Sequence, residues 1–425
     1  MHDMIPDSTY QAYQKIRSGE ARHSLCHAPF QNMYFGRDGK ITACCYNRSN
    51  HLGSFPEQSL EDIWRGSRAK AFRAQFSDRS FGVGCDSCRQ QLIAGNFSGL
   101  QARSFDRFSG SPKRQLLERV TYLVARPQQW GSYLRKLLFA ENRERWLARW
   151  KSDKSSETSP ASDTMVTVAY PRSLEFELST TCNLECVMCF GEFSSSIRKN
   201  REQLPPLPDV YDHPDFLEQV APFIQSATEA RFYGGEPFLI SLYFELWERF
   251  IETNPEALLS ITTNATIFNQ RVQRVLEKLN VHLVISIDSF DRDTYETIRT
   301  NARYDRVMQN LDAMDRLVRK RGQRLTLSIC PMQINWREIP AIFEKANQRQ
   351  WFVHLNTVWF PMEQSLRFLP PKTLRDITDY LTEKTPVAWQ GPTARENKEA
   401  YQGLIHQVDS WVHQTTDNAI TPINS

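Results

Sequence analysis

No stretch of this 425-residue chain approaches the roughly 18 consecutive apolar residues of a membrane-spanning helix, so no crossing of a bilayer is expected. The opening MHDMIPDSTYQAYQKIRSG has no apolar core, which excludes a secretory signal. Formal net charge is only +3, so bulk charge selects no polyanionic partner or surface. Internal repeats are missing, which excludes a solenoid, and no nucleic-acid reading motif is present. Cysteine is scarce, at nine residues. The chain is therefore expected in the reducing cytoplasm, where clustered cysteines bind metal or do chemistry more often than they form disulfides.

The nine cysteines are not scattered. Cys26, Cys44, Cys45, Cys85 and Cys88 stand near the start, Cys182, Cys186 and Cys189 fall within eight residues, and Cys330 is alone. Residues 1–100 read as a compact cysteine module. Residues 101–165 read as a basic helical segment and a polar linker, KSDKSSETSPASD, which is rich in Ser and poor in large apolar residues. Between 101 and 151 there are twelve Lys and Arg against four Asp and Glu, with Arg114, Arg119, Arg135, Lys136, Arg143, Arg145 and Arg149 among them. Such a face either docks something acidic, covers the mouth of a neighbouring domain, or is simply solvated. Residues 366–425 read as a helical extension.

Between these lies a regular pattern at 166–365. Six β-rich runs, SLEFELS, EARFYG, LSITTN, HLVISID, LTLSIC and VHLNTV, alternate with helical stretches. That order predicts an α/β fold with a parallel sheet, curled into a partial (β/α)6 TIM-like barrel. In closed barrels of this kind the chemistry sits at the C-terminal strand ends. Alternation within the strands separates an apolar face, with Leu283, Ile285, Ile287, Leu325, Leu327 and Ile329, from a polar one. The polar face carries Glu175, Glu177, Ser260, Thr262, Asn264, His282, Ser286, Asp288, Thr326, Ser328, Cys330, His354 and Asn356. Pointed inward, it predicts a roomy polar interior suited to a large ligand.

The triplet Cys182, Cys186 and Cys189 lies just after the first of these strands. Three thiolates can hold three irons of a [4Fe–4S] cluster and leave the fourth open, whereas ordinary electron-transfer clusters take four cysteines. Structural zinc is the alternative, although it usually takes four ligands and no fourth is obvious nearby.

The C-x3-C-x2-C spacing resembles the signature of the radical SAM superfamily. YGGEPFL at 233–239, ITTNAT at 261–266, ISIDSF at 285–290 and YETIR ending at Arg299 follow in the order of that family's markers. The resemblance covers about 172–360. It implies that Cys182, Cys186 and Cys189 ligate the cluster and that S-adenosylmethionine (SAM) chelates the open iron. It further implies that Gly234, Gly235 and Glu236 receive the amino end of SAM, that Ser286 and Asp288 approach the ribose, and that Arg299 pairs with the carboxylate. Asn264 is a candidate for the adenosine side. The residue before the third cysteine, commonly aromatic in the family and in contact with adenine, is Met188 here. The implied chemistry is one-electron cleavage of SAM to methionine and a 5′-deoxyadenosyl radical, which takes a hydrogen atom from a substrate.

The order LCHAPFQNMYFGRDGKITACCYN, then SLEDIW, then CDSC resembles the SPASM or Twitch auxiliary-cluster module, placed here before the barrel. RDGK reads as a hairpin turn and Ser59 as a helix cap. The resemblance implies one auxiliary [4Fe–4S] cluster on Cys26, Cys44, Cys85 and Cys88, with Cys45 as spare or alternate; a zinc ribbon is the competing reading. The expected substrate is a peptide or protein, in an oxidoreductase-like maturase. The alternatives are dehydrogenation or epimerisation of a small molecule such as a sugar or aminocyclitol, and a non-catalytic iron–sulfur sensor or scaffold. An electron donor such as flavodoxin or ferredoxin is an expected partner. Cys330, at the end of the fifth strand on the polar face, is a candidate hydrogen-atom donor to a substrate radical; the alternative is plain packing.

Overall fold

The computed structural model describes residues 5–109 and 169–417, apart from 78, 94, 96, 98, 99, 387 and 388. The basic segment named above lies outside the described residues from 110 to 168. The chain divides into two units, Met1–Glu175 with His213–Ala227, and Phe176–Asp212 with Thr228–Ser425.

In the first unit, strands β1 (Asn32–Phe35) and β2 (Lys40–Thr42) form the antiparallel hairpin expected at RDGK, with Tyr34 opposite Thr42. A third strand, β3 (Gly53–Ser54), pairs with β2. The helix Leu60–Arg65 begins where Ser59 Oγ accepts the Asp62 amide at 3.1 Å, a cap that contributes about 1 kcal/mol. Trp64 on that helix is fully buried and donates its indole N–H to the Ala169 carbonyl at 3.0 Å. The helix Phe216–Ser226 belongs with this unit: Phe216 packs on Phe35 and Phe55, and Gln219 accepts the Leu60 amide at 2.9 Å.

All six expected strands of the second pattern are present: β4 (Ser173–Phe176), β5 (Glu229–Phe232), β6 (Leu258–Thr263), β7 (Asn280–Ser286), β8 (Arg324–Ile329) and β9 (Phe352–Leu355). Neighbours from β5 to β9 are parallel, and the Tyr233 amide ties the end of β4 to β5 through the Phe176 carbonyl at 3.1 Å. With helices between the strands, this is a partial (β/α)6 TIM-like barrel. Leu283, Ile285, Ile287, Leu327 and Ile329 are fully buried, each contributing about 1.5–3 kcal/mol. The intervening Ser260, Thr262, His282, Ser286 and Ser328 are half-buried, whereas Glu177, Asn264, Asp288 and Thr326 of the same polar face are buried. β4 departs from the alternation, because it is buried on both faces. Its Glu175, wholly enclosed, accepts from Asn32 Nδ2 at 2.8 Å.

The free edge of β9 is covered by the helix Ala394–Asp417. Asn397, fully buried, accepts the Val353 amide through Oδ1 and donates to the Trp351 carbonyl, both at 2.9 Å. A side-chain amide thus stands in for a neighbouring strand. Among the described residues no helix is long and apolar enough to cross a membrane.

Candidate active site

The cysteine triplet hangs on a loop whose backbone is pinned independently of its sulfurs. The Cys182 amide donates to Ser195 Oγ at 3.1 Å, and its carbonyl accepts from Ser196 Oγ at 2.7 Å. Ser194 Oγ donates to the Leu184 carbonyl at 2.7 Å, and the Val187 amide donates to the Ile298 carbonyl at 2.9 Å.

The Gly234–Gly235–Glu236 turn closes on that loop. Gly234 and Gly235 both have positive φ, 85° and 50°, which glycine adopts without penalty. A Cβ on Gly235 would stand 2.2 Å from the Thr181 carbonyl oxygen, next to the first cysteine. The Glu236 amide donates to that same carbonyl at 2.8 Å. The Glu236 side chain, 1% exposed, accepts from Thr263 Oγ1 and the Asn264 amide at 2.7 Å each, and from the Phe238 amide at 3.1 Å. Glu236 therefore brackets the end of β6 to the turn. Burial raises its pKa against the pull of these donors.

Asn264 donates to Asn183 Oδ1 at 3.1 Å, and Asn183 Nδ2 donates to Thr266 Oγ1 at 3.0 Å. The third strand end is so tied to the residue after Cys182. Asn183 is not among the residues that the motifs mark, although it stands inside the triplet. Ser286 faces the interior, half-buried. Asp288 is completely buried: Oδ1 accepts the Cys330 amide at 2.7 Å, and Oδ2 lies 2.7 Å from Arg299 Nη2. Asn335, also missed, holds the Asp288 carbonyl at 2.8 Å and the Cys330 carbonyl at 3.1 Å. Met188 and Cys330 pack together with Val187 against Ile298, Met332 and Val358.

The donor chemistry suits a cluster. Burial pushes the Cys182 thiol up to about 11 and the Cys189 thiol up to about 12, and it raises Cys186 as well. Thiolates in such a setting need the charge of bound metal. Yet hydrogen-bond donors already face the sulfurs: the Leu184 amide at Cys182, and Arg299 Nη1 at 3.9 Å from Cys186 Sγ.

The first unit repeats this pattern. Cys26, Cys44 and Cys88 lie in one buried cluster with Cys85 packed against it; Cys45 is half-buried and stands outside that cluster. Burial raises all four thiols, Cys85 to about 11. The Ala28 amide donates to Cys26 Sγ at 3.4 Å and Asn47 Nδ2 to Cys85 Sγ at 3.2 Å. Backbone amides of Tyr46 and Asn47 face Cys44, and those of Ala102 and Gln101 face Cys88. Among the described residues no three His, Cys, Asp or Glu side chains close on one point as ligands of a single metal ion do. A cluster does not require it, because each iron takes its own thiolate.

Comparison with known proteins agrees with this geometry. Residues 176–346 match the radical SAM superfamily, and residues 26–89 match SPASM, an iron–sulfur cluster-binding domain. The chain carries a radical SAM domain with a SPASM module ahead of it, and with them a SAM-binding [4Fe–4S] cluster and an auxiliary cluster. A probable GTP 3′,8-cyclase of Methanocella arvoryzae is 26% identical over 186 residues, 42% of this chain and 53% of that protein. GTP 3′,8-cyclase 2 of Mycobacterium bovis is 29% identical over 156 residues, 37% and 41% of the two chains. The chain thus spans about half the length, or less, of the curated relatives it matches. Among solved structures, SuiB of Streptococcus suis bound to S-adenosylmethionine is 14% identical with a TM-score of 0.37, over 57% of this chain and 56% of that one. anSMEcpe with bound AdoMet is 18% identical at 0.38, over 50% and 56%.

Cys85→Ala tests the auxiliary site. Iron per chain is expected to fall from about eight to about four, the content of one [4Fe–4S] cluster, with SAM cleavage surviving in part. Full iron retention would point to other ligands, and loss of zinc instead would favour a ribbon.

Proposed function

We propose that this protein is a radical SAM maturase that takes a hydrogen atom from a peptide or protein substrate. The observation that carries the substrate class is an apolar rim on the loops following β8 and β9. There Ile334, Trp359, Phe360, Met362 and Phe368 are 42–60% exposed. The loops are joined by the Gln333 amide to the Gln364 carbonyl at 3.1 Å and by Gln333 Nε2 to the Ser365 carbonyl at 2.9 Å. Exposed apolar side chains gathered on joined loops suit an interaction surface, read here as contact with a peptide or protein.

In this reading Cys182, Cys186 and Cys189 hold the SAM cluster, and Cys26, Cys44, Cys85 and Cys88 hold the auxiliary one. When bound, the first cluster supplies one electron to SAM, releasing methionine and a 5′-deoxyadenosyl radical. The chain's own residues position the reactants. The Gly234–Gly235 turn lets backbone approach the amino end of SAM, and Glu236 fixes that turn. Asn264 and Ser286 are read as the adenosine-side residues, and Met188 as the adenine contact. Asp288 holds Arg299, whose Nε is buried without a partner and is a free donor for the SAM carboxylate. A cytoplasmic setting with flavodoxin or ferredoxin as reductant belongs to the same reading. The domains run from an auxiliary module at 1–100, through the basic segment at 101–165 and the barrel at 166–365, to a C-terminal extension at 366–425.

Cell extract grown in deuterated medium and split by ultrafiltration into peptide and metabolite pools gives the test. Deuterium should appear in 5′-deoxyadenosine with the peptide pool. Transfer from the metabolite pool alone would favour a small-molecule reaction, a second reading that the GTP 3′,8-cyclase relatives support.

Cys330 is assigned the return of a hydrogen atom. Burial, then the neighbouring Asp288 carboxylate, keeps its thiol protonated. Breaking S–H gives the hydrogen atom to the substrate carbon and leaves a thiyl radical, which regains one electron from the reductant and one proton from solvent. Cys330→Ala should still consume SAM but lose the epimerised product, and wild type in heavy water should place one deuterium at the altered carbon. Normal product from the variant, without solvent deuterium, would leave Cys330 as packing.

A further inference from the structure

The guanidinium of Arg299 is 8% exposed at the side chain and its three nitrogens face three directions. Nη2 meets Asp288 at 2.7 Å, Nη1 lies 3.9 Å from Cys186 Sγ, and Nε is buried without a partner. Asp288 is itself held by the Cys330 amide and, through its carbonyl, by Asn335. The cation is therefore fixed against one cluster ligand by a buried network rather than left to solvent.

We propose that Arg299, oriented by Asp288, sets the reduction potential of the SAM-binding cluster through Cys186. Reduction adds negative charge to a cluster. A fixed cation and an N–H aimed at a ligating sulfur stabilise that added charge and raise the potential. Arg stays charged in any protein setting, and burial leaves little water to screen it. Asp288 has the opposite sign and tempers the effect while holding the guanidinium in place. For the potential, the influence of Arg299 passes through the Cys186 sulfur. The inference rests on the triplet carrying its cluster.

The test is a redox titration of the full reconstituted chain followed by EPR, with the spectrum of Cys182→Ala subtracted to remove the auxiliary cluster. In Arg299→Met the midpoint should fall, with at least a tenfold loss in the one-electron reduction equilibrium, about 59 mV. Arg299→Lys, which keeps the charge, should fall less. Asp288→Asn should shift the midpoint upward. The double variant Arg299→Met/Asp288→Asn leaves no lone buried charge and should lie between the two singles. A one-electron reduction equilibrium within twofold of wild type in an iron-replete Arg299→Met chain would overturn the proposal. So would a fall in Arg299→Lys as large as in Arg299→Met. If Arg299→Met does not hold iron, the lysine and double variants decide. A wild-type chain with only the auxiliary cluster's iron would instead fault the reading of the triplet.

Discussion

Cys182→Ala is expected to abolish SAM cleavage while the auxiliary cluster stays in place, with iron near four per chain, one cluster's worth. The loop explains why the effect should be chemical rather than a loss of fold. Its amide and carbonyl at Cys182 are held by Ser195 and Ser196, and these bonds do not involve the sulfur. Removing one small side chain from a half-buried position costs about 1 kcal/mol. The cluster, by contrast, has only three protein thiolates, and two do not retain it against the solvent that reaches this loop. Iron content, labile sulfide and 5′-deoxyadenosine yield measure the two parts separately. A variant that cleaved SAM at a comparable rate would place the reaction elsewhere.

A second large loss is expected at Gly235→Ala. The new Cβ would meet the Thr181 carbonyl oxygen at 2.2 Å, the Thr181 carbonyl carbon at 2.7 Å and the Thr180 carbonyl carbon at 2.8 Å. These are backbone atoms and cannot rotate away, and φ at this position is +50°. Relief requires moving the two residues that lead into Cys182. A shift of about 1 Å at a reacting centre can cost 100-fold in rate, and a fall of at least that size in SAM cleavage is expected, together with weaker SAM binding. Gly403→Ala is the control: nothing lies within 4 Å of its added Cβ, and in a helix the change should stabilise by about 0.5–1 kcal/mol. Wild-type cleavage in Gly235→Ala would mean that the turn does not set the cluster loop.

Much of this arrangement is legible in the residues. The β-rich runs mark all six strands because period-two alternation and flanking turns are local properties, and the triplet and the Gly-Gly-Glu turn are contiguous. What escapes is the tertiary partner of each polar residue. Glu175 lies on the face read as inward, yet the structure encloses it against Asn32, 143 residues away. Asp288 looks like a strand-end acid open to ligand until Arg299 and the Cys330 amide are seen to hold it. Cys44 and Cys45 are adjacent, and only the packing shows that Cys44 joins the buried cysteine cluster. The helix Phe216–Ser226 reads as part of the barrel's alternation but packs with the first unit through Phe216. Each depends on contacts that no local window contains.

The central claim, that the triplet loop holds a cluster able to cleave SAM, is tested most directly by a single-turnover assay on the anaerobically reconstituted wild-type chain. With dithionite and SAM it should release 5′-deoxyadenosine and methionine in equal amounts, and none without reductant. A chain with its full complement of iron and both clusters reduced, yet releasing no 5′-deoxyadenosine, would contradict the account.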